Sequence, residues 1–334
     1  MIRTSHYIFI FFGSLFIACT SYNLEFPREA TIIQELMPLQ GITCPEKLEI
    51  KSHFLIVLNS NREDSLFHIY NLKNHELTSA FGMIGRGPNE FIDTWLFNTP
   101  FSDFLVNDIQ NEQVIYQFSI NENGGTILKD KKLPNYILGA MNAAFINDSL
   151  YVLDDYLLSH SLQLLTFSDE MPRRSWQHRN PIILNPFIDP NHGKVYANNT
   201  RIVYCCEYKK QIDFFDIELN ILKSIKFNYN APERITEGEE HINSSRSYTS
   251  SYLGNRYLYA SFRGATSKEY NDPFFRGTIL EVFDLDGNPI VKYHLDGLAP
   301  NFFVVDEETF ILYGGRYDGE PVDHLLVYKL KGLS

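Results

Sequence analysis

The chain carries ten histidines, four cysteines and 41 aspartates and glutamates, enough for many kinds of chemistry, so their spacing decides which kinds survive. There is no His-Glu-x-x-His and no pair of histidines four apart in a helical segment, the arrangement that places two imidazoles on one metal. His68 and His294 lie in strand-like runs. There is no Gly-x-Ser-x-Gly elbow, and Gly85 and Gly87 precede a strand instead of opening a helix, so neither an activated serine nor a phosphate-cradling helix start is encoded. Asp154-Asp155 and Glu239-Glu240 are adjacent acids on loops, where carboxylates are ordinarily solvated. No catalytic residue is assigned and no cofactor is expected, although spacing leaves open a metal held by residues that converge only in space. What remains is recognition chemistry. Arg263, Lys268, Tyr270 and Arg276 lie in one long polar loop (263–277), and Arg316, Tyr317 and Asp318 in another (314–324). Arginine and tyrosine together suit a protein or glycan partner.

Positioning such loops requires a rigid scaffold, and internal repetition supplies one. Short apolar strands begin at Phe54, Phe104, Leu150, Ile202, Tyr257 and Phe310, at intervals of 50, 46, 52, 55 and 53 residues. A period of this length is the mark of arrays and propellers. A second strand follows each, as at Leu66–Tyr70, Val114–Phe118 and Ile279–Phe283. A tight turn at Asp286-Gly287-Asn288-Pro289 leads to a further strand, Ile290–Leu295, with Gly287 supplying the positive φ. An inner strand precedes each listed start, as at 91–97 and 142–147. The expected fold is all-β, a six-bladed β-propeller of four-stranded blades, with no long helix because no apolar stripe of helical period is sustained. The last unit stops after three strands, so an N-terminal strand, Thr31–Leu39, is expected to complete it by pairing with Leu325–Leu330 and to hide an open edge.

The N-terminus reads as an address. Arg3 precedes an apolar stretch from Tyr7 to Ala18 that is too short to span a bilayer comfortably. Leu15-Phe16-Ile17-Ala18-Cys19 resembles a bacterial lipobox, with Phe16 where leucine is commonest. The expected organisation is a signal peptide at 1–18, a lipidated tether at 19–30 attached through Cys19, and a propeller at 31–334. The protein is then exported and held in the cell envelope by lipid alone. Cys44, Cys205 and Cys206 would remain, an odd number with no Cys-x-x-Cys pair, which argues against a disulfide framework. Cys205 and Cys206 are adjacent in a strand and should point to opposite faces. The net charge of −12 becomes −13 once Arg3 is removed, with no basic block, so nucleic acid is not expected as a partner.

The segment Ala80-Phe81-Gly82-Met83-Ile84-Gly85-Arg86-Gly87-Pro88-Asn89-Glu90-Phe91 resembles the signature of TolB-like six-bladed propeller lipoproteins of Bacteroides-type bacteria, where a Gly-x-Gly-Pro-x-Glu-Phe turn follows the first blade. The resemblance implies fold and location and no reaction. Thr20-Ser21-Tyr22-Asn23 lacks the acidic cluster that often accompanies surface display in such bacteria, and the resemblance therefore favours a periplasm-facing anchor. Read from its residues, the segment is a crossover from the outermost strand of one blade to the innermost of the next. Gly85 and Gly87 permit unusual backbone angles, Pro88 stops a ladder and Phe91 restarts an apolar strand. Turn geometry alone does not call for Arg86, Asn89 or Glu90. The candidate binding face therefore combines Arg86, Asn89, Glu90, Arg263, Arg276, Arg316 and Tyr317. The expected function is a non-enzymatic, membrane-tethered binding or scaffold propeller for an envelope protein or glycan. The rival expectation is a hydrolase or lyase acting on a carbohydrate in the central channel.

Overall fold

The computed structural model describes residues 25–42, 45–59, 65–87, 90–92, 94–108, 114–121, 124–132, 143–155, 159, 161–178, 189–227, 245–270, 272, 275–317 and 323–333. Two strands come first, β1 (Glu29–Ile33) and β2 (Glu35–Pro38). Blade 1 is β3 (Pro45–Lys51), β4 (Phe54–Asn59), β5 (Phe67–Asn71) and β6 (Leu77–Phe81), and a short ribbon of β7 (Met83–Ile84) and β8 (Glu90–Phe91) follows it. Blade 2 is β9 (Thr94–Phe97), β10 (Phe104–Asp108), β11 (Val114–Asn121) and β12 (Gly124–Lys132). Blade 3 is β13 (Ala143–Phe145), β14 (Leu150–Asp155), β15 (Ser161–Thr166) and β16 (Arg174–Gln177). Blade 4 is β17 (Gly193–Ala197), β18 (Ile202–Cys206), β19 (Gln211–Phe215) and β20 (Ile221–Lys226). Blade 5 is β21 (Ser245–Leu253), β22 (Tyr257–Thr266), β23 (Ile279–Asp284) and β24 (Pro289–Asp296), and blade 6 has β25 (Phe302–Asp306), β26 (Ile311–Gly315) and β27 (His324–Lys329). The only helix among the described residues is a single turn, α1 (Ser267–Tyr270).

Each blade is an antiparallel sheet in sequence order, and the six stand in a ring with their first strands innermost. The expected fold is the one found. All of β4 (Phe-Leu-Ile-Val-Leu-Asn) is buried, because neighbouring blades cover both faces of the strand. That double burial is why second strands read as unbroken apolar runs, whereas half-covered outer strands such as β24 alternate. The second strands begin where the repeat places them except in blade 6. There Phe310 has φ of 55° in the turn, so β26 starts one residue later.

The core consists of packing between blades. Phe67, Phe91, Phe104 and Phe118 fill the space between blades 1 and 2, with Phe104 stacked on Phe118 at 4.8 Å and Phe67 edge-on to Phe91 at 5.7 Å. Cys205 and Cys206 are free, buried and in different clusters on the two faces of β18, as their adjacency requires. At the β23–β24 turn Gly287 has φ of 73°, and an added Cβ would meet the Phe214 ring of blade 4 at 2.9 Å, so both the turn and the blade contact require glycine.

Closure by the N-terminus holds, with one correction. Only the second half of the expected strand joins blade 6: β2 pairs antiparallel with β27, Glu35 opposite Val327 and Pro38 opposite His324. Thr31, Ile32 and Ile33 belong instead to β1, which pairs parallel with β24 and makes blade 5 five-stranded. The chain changes blade at Gln34, whose side-chain oxygen accepts the N–H of Leu298 at 2.6 Å and the hydroxyl of Tyr328 at 3.3 Å. The signal segment, Cys19 and Cys44 lie outside the described residues.

Candidate functional site

In such blades the outer-to-inner crossovers and the loops between second and third strands emerge together on one face, here termed the upper face. The innermost strands enclose two adjoining cavities along the axis. The upper, of about 150 Å³, takes residues from all six of them, β3, β9, β13, β17, β21 and β25. The lower, of about 280 Å³, opens toward the opposite face and is lined by residues 49–52, 98–102, 252–255 and 305–308, with Ala197 and Asn198.

Lys47 and Lys194 line the upper cavity and no aspartate or glutamate does. The Lys47 ammonium lies 4.8 Å from the centre of the Trp95 ring, and the Lys194 ammonium donates to the Thr249 carbonyl at 2.9 Å. Burial drives the Lys47 pKa down to about 8, the nearby Lys194 charge adds to the fall and Glu49 opposes it. Around them stand Phe97, Tyr196, Tyr252 and Phe302, with polar groups from Asn98, Ser250 and Asn301. The Tyr196 hydroxyl accepts the Ser251 N–H at 3.0 Å, and burial raises its pKa, so it stays neutral.

The lower cavity has the opposite character. Glu49, Asp306, Glu307 and Glu308 stand there against Lys51. The Glu49–Lys51 ion pair (2.5 Å) is almost wholly buried. Glu49 also accepts from the Thr99 N–H at 3.0 Å and from the Asn98 amide, while Lys51 donates to the Thr99 carbonyl, which ties blade 1 to blade 2. Glu307 accepts the N–H groups of Asn255, Arg256 and Tyr257 and the Tyr259 hydroxyl, which ties blade 6 to blade 5. No group of three or more His, Cys, Asp or Glu residues among those described is arranged to hold a metal ion.

The expected binding residues are not gathered as expected. Arg263 and Arg316 are buried, each about 6% exposed, and are not presented on a rim. Arg316 donates to the Ala299 carbonyl at 3.0 Å and Arg263 to the Pro300 carbonyl, so together they clamp the crossover into β25. Their misplacement has a plain reason: β22 runs on to Thr266 and β26 to Gly315, so both arginines sit on or beside strands that the sequence reading ended earlier. Glu90 is also a turn residue. Its carboxylate accepts the Gly87 N–H at 2.6 Å, and a Cβ on Gly85 would come within 2.0 Å of the same carboxylate. A side chain at 85 or 87 would thus displace the Glu90 carboxylate from this contact, and Phe91 anchors the crossover in the core of blades 1 and 2. Arg86 and Arg276 are exposed, and Lys268 is exposed on α1. Tyr317 alone of the predicted set lines the upper cavity, half-exposed and tilted over Phe302 at 5.0 Å. Pro88, Asn89 and Asp318 lie outside the described residues.

Sequence reasoning missed Lys47, Trp95 and Lys194 altogether. One signal was present: β21 reads Ser-Arg-Ser-Tyr-Thr-Ser-Ser-Tyr-Leu, mostly buried yet poor in aliphatic residues, as an innermost strand facing a wet channel should be.

Residues 23–308 match the family described as TolB-like 6-blade propeller-like. The chain belongs to that family. Its membership suggests a periplasmic or otherwise envelope-associated protein. No curated protein matches the sequence. Among solved structures, this TolB-like propeller is similar to a member of the duf4221 family from Bacteroides vulgatus, with a TM-score of 0.55 and 15% identity over 89% of this chain and 95% of that one, a likeness of fold alone. BamB from Moraxella catarrhalis aligns with a TM-score of 0.37 and 9% identity over 85% of this chain and 84% of that one, and carries no argument.

Proposed function

We propose that this TolB-like propeller is a lipid-anchored envelope protein that binds a small ligand in the upper half of its central channel and leaves it chemically unchanged. The observation that carries the reading is the upper cavity itself, where two lysines, seven aromatic rings and several amides and hydroxyls surround open space and no carboxylate lines the wall. A cleft lined by aromatic residues with a few convergent polar groups is the usual form of a small-molecule site. The lipobox-like run ending at Cys19 and the family membership support the location. The burial of Arg263 and Arg316 removes them from the rim and moves the proposed site to the axis.

A second reading has one observation in its favour. An amine whose pKa falls to about 8, as that of Lys47 does, is suited to general-base chemistry near neutrality, which fits a lyase acting on a carbohydrate. The test uses the full-length protein in its membrane. Ligands that co-purify or bind from a panel of envelope sugars are recorded for the wild type, for Ala143→Trp, which fills the upper cavity, and for Cys19→Ser. The expected result is binding abolished by Ala143→Trp, the ligand recovered intact, and release of Cys19→Ser from the membrane fraction with binding retained. Binding indifferent to Ala143→Trp would sink the channel reading, and recovery of a cleaved ligand would favour the lyase.

A further inference from the structure

We infer that the ligand of the upper cavity is an acidic sugar unit, its oxyanion held between Lys47 and Lys194 and its ring laid against the aromatic wall that includes Trp95 and Tyr317. This rests on the channel-binding reading above and adds the chemical class.

Charge is the first ground. In a chain of net charge −12, the two ammonium groups of one cavity meet no carboxylate partner among the described residues, while the adjoining cavity gathers four carboxylates against a single lysine. Glu49, whose charge acts on Lys47, is already engaged by Lys51, the Thr99 N–H and Asn98. The charge of the exposed Lys194 already acts on Lys47 from the opposed strand and disfavours its protonated form, and an anion between the two would offset that repulsion. Shape is the second ground. Rings on several sides offer flat apolar surface for the C–H face of a sugar, and Asn98, Ser250 and Asn301 offer donors and acceptors for its hydroxyls. Size is the third. A cavity of about 150 Å³ has room for on the order of ten waters, which matches one sugar unit rather than a protein loop.

The arrangement also implies coupling to pH. Lys194 from β17 is the cation facing Lys47, Glu49 on β3 is the anion whose charge acts on it, and Tyr196, Tyr252 and Tyr317 are the remaining titratable groups around the cavity; β9, β13 and β25 contribute no charged side chain to it. An oxyanion beside Lys47 favours the protonated amine. Binding should therefore take up a proton near pH 8 and weaken as pH rises above it.

The experiment is calorimetric titration of the full-length protein with glucuronate, glucose 6-phosphate and glucose, followed in parallel by tryptophan fluorescence, for the wild type, Lys47→Met/Lys194→Met and Ala143→Trp. One or both acidic sugars should bind at least tenfold more tightly than glucose, and their ranking separates a carboxylate from a phosphate as the oxyanion. The double methionine variant should lose that preference while keeping its thermal midpoint at or above that of the wild type. Glucose bound as tightly as both acids, or acid affinity kept within twofold in the double variant, would overturn the inference. If glucose binds and Ala143→Trp abolishes it, the channel reading stands without the anion. If no sugar responds to Ala143→Trp, both readings fall.

Discussion

The two halves of the channel use the same residue types to opposite ends. In the lower half every prominent charge is spent on architecture: Glu49 with Lys51 joins blades 1 and 2, and Glu307 collects the backbone N–H groups of the turn between β21 and β22. In the upper half Lys47 lies over the Trp95 ring and the exposed Lys194 donates to one carbonyl, and neither meets a carboxylate among the described residues. A buried charge that is paired and hydrogen-bonded belongs to the structure, whereas one held with little counter-charge, as at Lys47, is a standing cost that an anion from outside the chain would offset.

Three substitutions would break or sharpen this contrast. Lys51→Met should be the most damaging, since it leaves Glu49 buried without its cation. Breaking a buried pair by removing one partner costs about 3–5 kcal/mol, read as a fall in the denaturant midpoint at constant slope. Lys47→Met should act in the opposite direction. The pKa of its ammonium falls from 10.5 to about 8 on folding, so below pH 8 the group is charged in both states and the native state bears the whole penalty. Between pH 8 and 10.5 the unfolded chain keeps a proton that the native chain has released, so wild-type stability should rise with pH across that window, by an amount on the order of 1–3 kcal/mol. The variant should be more stable than the wild type at pH 7 and lack that rise. A variant less stable than wild type at pH 7 would place Lys47 with the structural charges. Arg86→Glu should have the smallest effect, within about 0.5 kcal/mol of stability and without change in ligand affinity, because Arg86 is exposed on the crossover. A loss of binding there would return the site to the rim.

The fold was legible because burial on both faces leaves an apolar run that needs no partner to be recognised, and six such runs at near-equal spacing admit few architectures. The split of the N-terminal strand was not legible. Residues 31–33 and 35–38 read as one β segment, and the change of blade at Gln34 depends on the register of β24, a partner more than 250 residues away. The crossover at residues 82–91 was correctly placed, but Glu90 was taken as spare when its carboxylate in fact closes the turn. Of the cavity, Tyr317 was found because it lies in a long polar loop. Lys47 and Lys194 were not, since each is an isolated lysine in an ordinary strand and only closure of the ring makes them neighbours. The polar sequence of β21 was the visible trace of the channel.

The pairing of β2 with β27 sets an order in time. Glu35 is synthesised well before its partner Val327, with five blades encoded between them. During synthesis β2 must wait while five blades assemble beside it, and closing so long a loop comes late and slowly. A chain cut short before residue 324 would have no β27 to receive it. The ring therefore completes only on a chain that extends through β27, which makes this strand pair a built-in check that all six blades are present.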